Sequence, residues 1–254
     1  MKPKSTSWGK VAVWYDKLIE DSPDSYQAAV ILPNLLRIVE PKKGMNILDL
    51  ACGQGFFSRA FHEKGAKVTG CDIAPELINI ARNNSPKEIE YHTAPADGLT
   101  FIENGNMDAV VIILAIQNIE NLTGTFSECA RVLKKNGKLF IVINHPAFRI
   151  PKRSSWQWDE ANRQYRRIDA YLSERCEKID MTPGESSEAK KKFTVTFHRP
   201  LQVFFKALNK SGFAVSKLEE WISHKKSEKG PRSAEEDRLR KEIPMFLCIE
   251  AVAM

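Results

Sequence analysis

The sequence has few cysteines and no long apolar run. Its five cysteines are an odd number, contain no Cys-x-x-Cys pair and are not grouped with histidines, so we expect neither disulfides nor a metal site. The longest apolar run, 109–116, has eight residues, whereas a membrane-spanning helix needs about 20. The opening residues, MKPKSTSWGK, contain no apolar signal core. We therefore expect a cytoplasmic, soluble protein without a membrane partner.

The composition is that of an ordinary globular chain with a small basic excess. Of 254 residues, 43% are apolar and 28% charged, which excludes a disordered or collagen-like chain. Residues 1–147 contain 16 basic and 16 acidic side chains, so residues 148–254 carry the whole net charge of +6. A basic half can indicate nucleic acid, an anionic membrane or an acidic substrate, although a solvated surface is the commoner reason.

Short apolar segments alternate with helical ones from about residue 45. This pattern is typical of βαβ units and a parallel sheet. The predicted strands are 45–51, 66–73, 89–94, 107–116 and 138–144, with helices at 55–65, 75–84 and 125–137. We therefore predict a doubly wound α/β fold.

The pattern changes after His145. A polar, Arg-rich segment predicts a helix over 159–178, and strands at 213–222 and 245–252 flank a predicted polar loop, 223–243. With those two strands the predicted sheet has seven. The predicted domains are an N-terminal helical cover (1–44), a core (45–147), an inserted segment (148–192) and the completion of the sheet (193–254).

Residues at the strand ends are the candidate site, because parallel sheets bind ligands at the carboxyl ends of their strands. Gly53 and Gly55 in DLACGQG allow a tight turn and close approach of the backbone to a ligand. Asp72, at the end of the second strand, is placed to accept hydrogen bonds from a ribose, or it is a helix N-cap. Asp49 either faces a ligand or is a buried, hydrogen-bonded carboxylate. Asp97 could hold an adenine amino group or be an ordinary loop residue.

These segments, ILDLACGQGFFSRAF, VTGCDIAPELI, APADGL and VVIILAIQNI, resemble class I S-adenosylmethionine-dependent methyltransferases of the small-molecule group. The resemblance implies a Rossmann-like methyltransferase fold, with a substrate-covering lid at 148–192 and S-adenosyl-L-methionine as cofactor. It also implies that the last two strands form an antiparallel pair. The cofactor residues implied are Asp49, Ala51, Gly53, Gly55, Asp72, Ile73, Ala96, Asp97 and Ala115.

A nicotinamide-binding Rossmann protein is the nearest structural alternative. Its G-x-G-x-x-G motif would need glycine at position 58, where this chain has Ser58. That fold also has no regular use for Asp49 or for the loop at Asp97. The methyltransferase interpretation is therefore favoured.

The candidate catalytic residues are His145, Tyr15 and Asn118. His145 follows the fifth strand, and the ordinary pKa of a histidine lies near neutrality, which suits a general base. It could instead hydrogen-bond the backbone near Pro146. Tyr15 lies in an N-terminal helix that covers the cofactor in many relatives, or it is a packing aromatic. Asn118 follows the fourth strand, facing the same pocket.

The inserted segment mixes aromatic and basic side chains. Tryptophans suit a flat acceptor, and arginines suit a carboxylate or phosphate, although the arginines could simply be solvated. The candidate substrate residues are Arg149, Trp156, Trp158, Arg166 and His198.

The sequence predicts methyl transfer to a small organic acceptor that is anionic or aromatic, with oxygen as the expected atom. An RNA or tRNA methyltransferase is the alternative, since aromatic and basic residues also bind single-stranded RNA. A cofactor-binding regulatory subunit is a third interpretation. Neither a recognisable RNA-binding appendage nor a contiguous basic face occurs, so nucleic acid is not the expected partner.

Overall fold

The computed structural model describes residues 8–12, 22–182, 187 and 191–254. The described strands are β1 (Asn46–Leu50), β2 (Lys67–Asp72), β3 (Glu90–Thr93), β4 (Met107–Ile113), β5 (Leu133–Asn144), β6 (Ser154–Trp158), β7 (Gln164–Ile168), β8 (Arg175–Asp180), β9 (Phe193–His198), β10 (Phe213–Trp221) and β11 (Phe246–Ala253). The α-helices are α1 (Leu32–Val39), α2 (Phe56–Glu63), α3 (Pro75–Asn83), α4 (Leu122–Val132), α5 (Leu201–Lys210) and α6 (Ser233–Glu242).

A seven-stranded sheet with the order β10-β11-β5-β4-β1-β2-β3 forms the centre of the fold. β1 is parallel to β2 on one side and to β4 on the other, so the direction of chain progress across the sheet reverses beside β1. β11 is antiparallel to both β5 and β10, and the other six strands share one direction. The predicted doubly wound, mostly parallel sheet of seven strands is confirmed.

Helices cover both faces of the sheet, which explains why its central strands are apolar throughout. One hydrophobic cluster contains side chains of α4 and α5, and the other contains side chains of α1, α2 and α3. β4 has the sequence MDAVVII and is buried at all positions but one, because its side chains pack alternately into both clusters. The sheet is thus a rigid central layer whose strand ends are free to form a site.

The helix predicted over 159–178 is wrong. β6 and β7 form an antiparallel hairpin there, in which Trp156 is opposite Arg166. The connecting turn satisfies its own backbone, because the Asp159 carboxylate accepts a hydrogen bond of 2.8 Å from the Arg163 N–H and Asn162 adopts φ 54°. Such local hydrogen bonds favour a turn over a helix.

A second hairpin, β8 with β9, follows in the chain. It pairs Arg175 with His198 and Asp180 with Phe193, and it is separate from the seven-stranded sheet. The predicted boundary between residues 192 and 193 therefore falls within this hairpin.

The structure also differs from the sequence-based predictions toward both ends of the chain. The predicted polar loop 223–243 contains α6, whose Glu235 accepts a hydrogen bond of 3.0 Å from the Gln164 N–H of β7. The N-terminal helical cover predicted over 1–44 is described in part: it contains a π-helical turn, Gln27–Ile31, and α1, whereas residues 1–7 and 13–21 lie outside the described residues. No helix in the described ranges is long and apolar enough to cross a membrane.

Close packing of β2 against β3 gives a test of the sheet. A Cβ at Gly70 would lie 2.5 Å from ring carbons of Tyr91, its partner on β3. We therefore expect Gly70→Ala to lower the free energy of unfolding by about 1–3 kcal/mol in urea denaturation. Gly230→Ala is the control, because the nearest atom to its Cβ is 4.0 Å away. Equal stability of the two variants would contradict this packing.

Candidate functional site

A cleft lies at the carboxyl ends of β1, β2 and β4, where the strand order reverses. The ends of these strands and the turns after them form most of its wall. Among the described residues that line it, Asp72 alone is charged. The lining residues are Trp8, Ala51, Gly53, Asp72, Ile73, Leu77, Ile113, Leu114, Ala115, Asn118 and Ile119.

The turn after β1 has an unusual backbone. Ala51, Gly53 and Gly55 all have positive φ, at 59°, 57° and 86°. Left-handed φ is unfavourable for an alanine by about 1–2 kcal/mol, so the local structure holds Ala51 in place against its preference. Ala51 and Gly53 line the cleft, whereas Gly55 is the N-cap of α2, where a Cβ would overlap the Tyr91 hydroxyl.

Asp72 connects this turn to β2. One carboxylate oxygen accepts a hydrogen bond of 3.0 Å from the Gly53 N–H, and the other accepts one of 2.8 Å from the Ala74 N–H. Burial raises the pKa of Asp72, and these backbone N–H groups oppose the increase. The carboxylate is thus oriented by the backbone and retains acceptor capacity toward the cleft.

Asp49 lies beneath the turn and is 1% exposed. The Ser58 hydroxyl donates a hydrogen bond of 2.6 Å to it. Burial raises the pKa of Asp49 to about 7, and the hydrogen bond from Ser58 opposes this increase. Asp49 therefore changes charge near neutral pH, although it does not itself line the cleft.

The other predicted cofactor residues divide into two groups. Ile73 and Ala115 line the cleft, and Ile73 is 50% exposed, which leaves an apolar face open to a ligand. Ala96 packs against a hydrophobic cluster, and the exposed Asp97 accepts a hydrogen bond of 2.7 Å from the Asn121 side chain. Neither Ala96 nor Asp97 is among the lining residues.

Trp8 and Leu114 were missed by the sequence reasoning, yet both line the cleft. Leu114 directly follows β4 and has φ 52°, which is unfavourable for a leucine. Such backbone strain is often found at binding sites. Trp8 stands outside any regular pattern of the sequence, and a lone tryptophan near a chain end carries no signal for a site.

A second cavity adjoins the cleft and is here called the neutral cavity. It has a volume of about 360 Å³ and shares Trp8, Leu114 and Asn118 with the cleft. Its described lining contains amides, hydroxyls and apolar groups, and no charged side chain. The lining residues are Trp8, Gln27, Leu114, Gln117, Asn118, Asn144, Pro151, Ile179, Met181, Thr194 and Thr196.

A third, smaller space, here called the arginine cavity, adjoins the neutral cavity. Its volume is about 40 Å³, and Arg149, His198 and Arg199 contribute to its wall. Arg199 is buried and donates hydrogen bonds to the carbonyls of Ile119 and Glu120, at 2.9 and 2.8 Å. His198 contacts the Tyr171 carbonyl through Nε2 at 2.8 Å. These contacts leave Arg149 as the cation of this wall without a hydrogen-bonded partner in the described chain.

The remaining predicted substrate residues pack beside this cavity. The guanidinium carbons of Arg149 and Arg166 lie 5.6 and 5.0 Å from the ring centroid of Trp156. Trp158 is covered by a different arginine, Arg232, at 4.7 Å. The structure therefore brings Arg149, Arg166 and Trp156 together and places Trp158 in a separate pair.

His145 has both ring nitrogens engaged. Nδ1 accepts a hydrogen bond of 3.2 Å from the Ala147 N–H, which makes Nε2 the donor to Glu220 Oε1 at 2.7 Å. Burial lowers the pKa of His145, although Glu220 opposes this change. His145 does not line the three spaces described above. Tyr15 lies outside the described residues.

Comparison with known proteins relates the chain to methyltransferases. Residues 48–141 match the family described as "Methyltransferase domain". The structure of an S-adenosylmethionine dependent methyltransferase from Mesorhizobium loti resembles this one with a TM-score of 0.71 and 28% identity, over 90% of this chain and 100% of that one.

Curated relatives cover less of the chain. The ubiquinone biosynthesis O-methyltransferase of Xanthomonas oryzae pv. oryzae is 35% identical over 101 residues, which are 39% of this chain and 42% of that protein. The protein of the same name from Xanthomonas axonopodis pv. citri is 31% identical over 131 residues, 50% of this chain and 54% of the relative. The chain thus spans about half of these relatives or less.

The buried carboxyl of Asp49 predicts an unusual pH dependence of stability. Its pKa of about 7 exceeds the ordinary value of 3.8, so between these values the folded protein holds a proton that the unfolded chain releases. Stability from this group therefore falls as pH rises through that interval. We expect Asp49→Asn to gain melting temperature relative to the wild type between about pH 5 and about pH 8.

Ser58→Ala is the matched variant, because it removes the hydrogen bond that favours the charged carboxylate. It should extend the wild-type decline in stability to higher pH. A difference between Asp49→Asn and the wild type that does not change with pH would contradict the raised pKa.

Proposed function

We propose that the chain transfers a methyl group from S-adenosyl-L-methionine to an oxygen of a small organic acceptor, because residues 48–141 match the methyltransferase domain family and the fold resembles that of an S-adenosylmethionine dependent methyltransferase. The observation that carries the proposal is the carboxylate of Asp72, oriented by two backbone N–H groups in an otherwise uncharged cleft. The printed names of the curated relatives support oxygen as the methylated atom.

The residues of the cleft fit the proposed cofactor. A ribose offers two hydroxyl donors, and Asp72 has free acceptor capacity. Gly53 lacks a side chain where the backbone turns, which allows the methionine part to approach, and the half-exposed Ile73 offers an apolar surface for adenine. Ala115 would lie beside the sulfur. When bound, the cofactor supplies a methyl group on a positively charged sulfur, which makes that methyl susceptible to attack by a nucleophile.

Five further residues are proposed to contact the cofactor. Asp49 would favour the ammonium of the methionine part from beneath the turn in its charged form, together with Ala51 and Gly55. Ala96 and Asp97 would hold the adenine edge, for which Asp97 would have to exchange its hydrogen bond with Asn121.

The neutral cavity suits the acceptor. It shares Asn118 with the cleft, and its volume of about 360 Å³ is that of a small-molecule site. Its described walls carry no charged side chain, and alignment of the acceptor with the methyl group would account for much of the rate. Asn118 would orient the attacking oxygen through its amide. Trp158 and His198 are proposed to contact the acceptor farther from the methyl group.

An RNA acceptor is not favoured by the contacts of the basic segment. Arg153 pairs with Asp169 and Arg163 pairs with Asp159. Two more arginines stack on Trp156, which shields its ring from a base. Apart from Arg149, these cations have local partners and do not present a free basic stripe.

The proposed ribose contact gives a binding test. Asp72→Ala removes an acceptor for both hydroxyls, and we expect it to abolish measurable binding of demethylated cofactor in titration calorimetry. Asp108→Ala is the control, because Asp108 pairs with Lys134 away from the cleft. Unchanged affinity in a folded Asp72→Ala protein would refute the assignment of the cleft.

The proposal that His145 is the general base has its own test. With an acceptor identified in a labelled-methyl screen, His145→Ala should lower turnover by about 100-fold or more while cofactor affinity stays the same. Because burial lowers the pKa of His145, wild-type activity should fall on the acid side, where the ring becomes charged. Equal activity of variant and wild type across the pH range would assign His145 to structure through Glu220 instead. His92→Ala, a histidine of β3 stacked on Phe101, is the control.

A further inference from the structure

Arg149 carries a positive charge that no acidic side chain in the described ranges neutralises. Its Nε is buried without a hydrogen-bond partner, and its guanidinium stacks on Trp156. Half-buried charge is unfavourable unless it is paired. The wall of the arginine cavity is therefore arranged for an anion.

A second arginine strengthens this argument. Arg166 lies on the same indole and is held by hydrogen bonds of 2.8 Å to the Phe148 carbonyl and the Ser154 hydroxyl. Burial, and after it the charge of Arg149, lowers the pKa of Arg166 to about 10. Two like charges kept close together without a carboxylate repel each other, and a bound anion would relieve that repulsion.

The order of the three spaces determines where such an anion would lie. The neutral cavity shares Trp8, Leu114 and Asn118 with the cleft at one end. It also shares Gln117, Asn144, Pro151 and Thr196 with the arginine cavity. The cleft and the arginine cavity share no described residue. A molecule in the neutral cavity would thus contact the cofactor and Arg149 with different groups.

Building on the proposed function, we propose that the acceptor is a small hydroxy acid whose carboxylate binds Arg149 and whose hydroxyl, at the Asn118 end, accepts the methyl group. The arginine cavity, about 40 Å³, has room for a group of the size of a carboxylate. The planar guanidinium matches a planar carboxylate. The product is an ether with a free carboxylate, and not a methyl ester.

The bonds of this reaction balance without any further reactant. A lone pair of the hydroxyl oxygen forms the new O–C bond, and the S–C bond breaks with its electrons remaining on sulfur. The hydroxyl proton passes to the general base, His145 in the proposed function, and from there to solvent. The carboxylate is unchanged and serves only to hold the molecule, so Arg149 is a specificity-determining residue.

Binding of three probes tests the proposal. The wild-type protein saturated with demethylated cofactor is titrated with 4-hydroxybenzoate, its methyl ester and phenol in a calorimeter. We expect the acid to bind at least about tenfold more tightly than the ester or phenol, because charge-assisted hydrogen bonds are stronger than neutral ones. Equal affinities, or no binding of any probe, would overturn the carboxylate site.

Three variants assign the effect to Arg149. Arg149→Met should remove the preference for the acid over the ester, and Arg149→Lys should keep part of it because the charge remains. Arg232→Met is the matched control, since it removes an arginine stacked on the neighbouring Trp158 and should leave the preference intact. Loss of the preference in Arg232→Met, or its persistence in Arg149→Met, would contradict the assignment.

The outcome is separable from that of the proposed function. Binding of demethylated cofactor is measured first in every variant, and it should be equal in all of them. If the wild type fails to bind it, the proposed function fails; if it binds and the acid preference is absent, only the carboxylate site fails. With labelled methyl donor and 4-hydroxybenzoate, the product should resist alkali as an ether, whereas an alkali-labile ester would show that the carboxylate is the methylated group.

Discussion

The paired hydrogen bonds of Asp72 connect the two strands between which the cleft opens. Its carboxylate accepts from the Gly53 N–H in the turn after β1 and from the Ala74 N–H just before α3. The turn contains an alanine and two glycines at positive φ, a conformation that needs support from its surroundings. Because Asp72 provides that support from a neighbouring strand, the backbone can approach a ligand closely while the carboxylate stays oriented toward the cleft.

Charge is distributed unevenly along the cleft, the neutral cavity and the arginine cavity, which adjoin in that order. Asp72 is the charged residue of the cleft, the neutral cavity has uncharged walls in its described part, and Arg149 stands at the far end. In the proposal above, the acceptor's carboxylate would pair with Arg149, and no charged side chain of the described lining would lie beside the attacking oxygen.

The segment 149–167 holds part of the basic excess of the chain, with six basic and two acidic side chains. The basic excess of the second half suggested a partner of opposite charge. In the structure most arginines of the segment 149–167 pair with nearby aspartates or stack on an indole. What remains is a local cationic site that suits one small anion better than a polymer.

The amino-acid pattern alone predicts the seven strands of the sheet and the residues at the strand ends. Continuous apolar runs separated by helical periods predict parallel strands, and Asp72 and Gly53 lie at the ends of such runs. The hairpin β6–β7, where a predicted helix is wrong, and the convergence of Trp8, Asn118, Gln117 and Arg149 around adjoining cavities are visible only in the folded chain. These features depend on pairing between segments far apart in the chain, and the local pattern of a segment contains no information about the partner that it will meet.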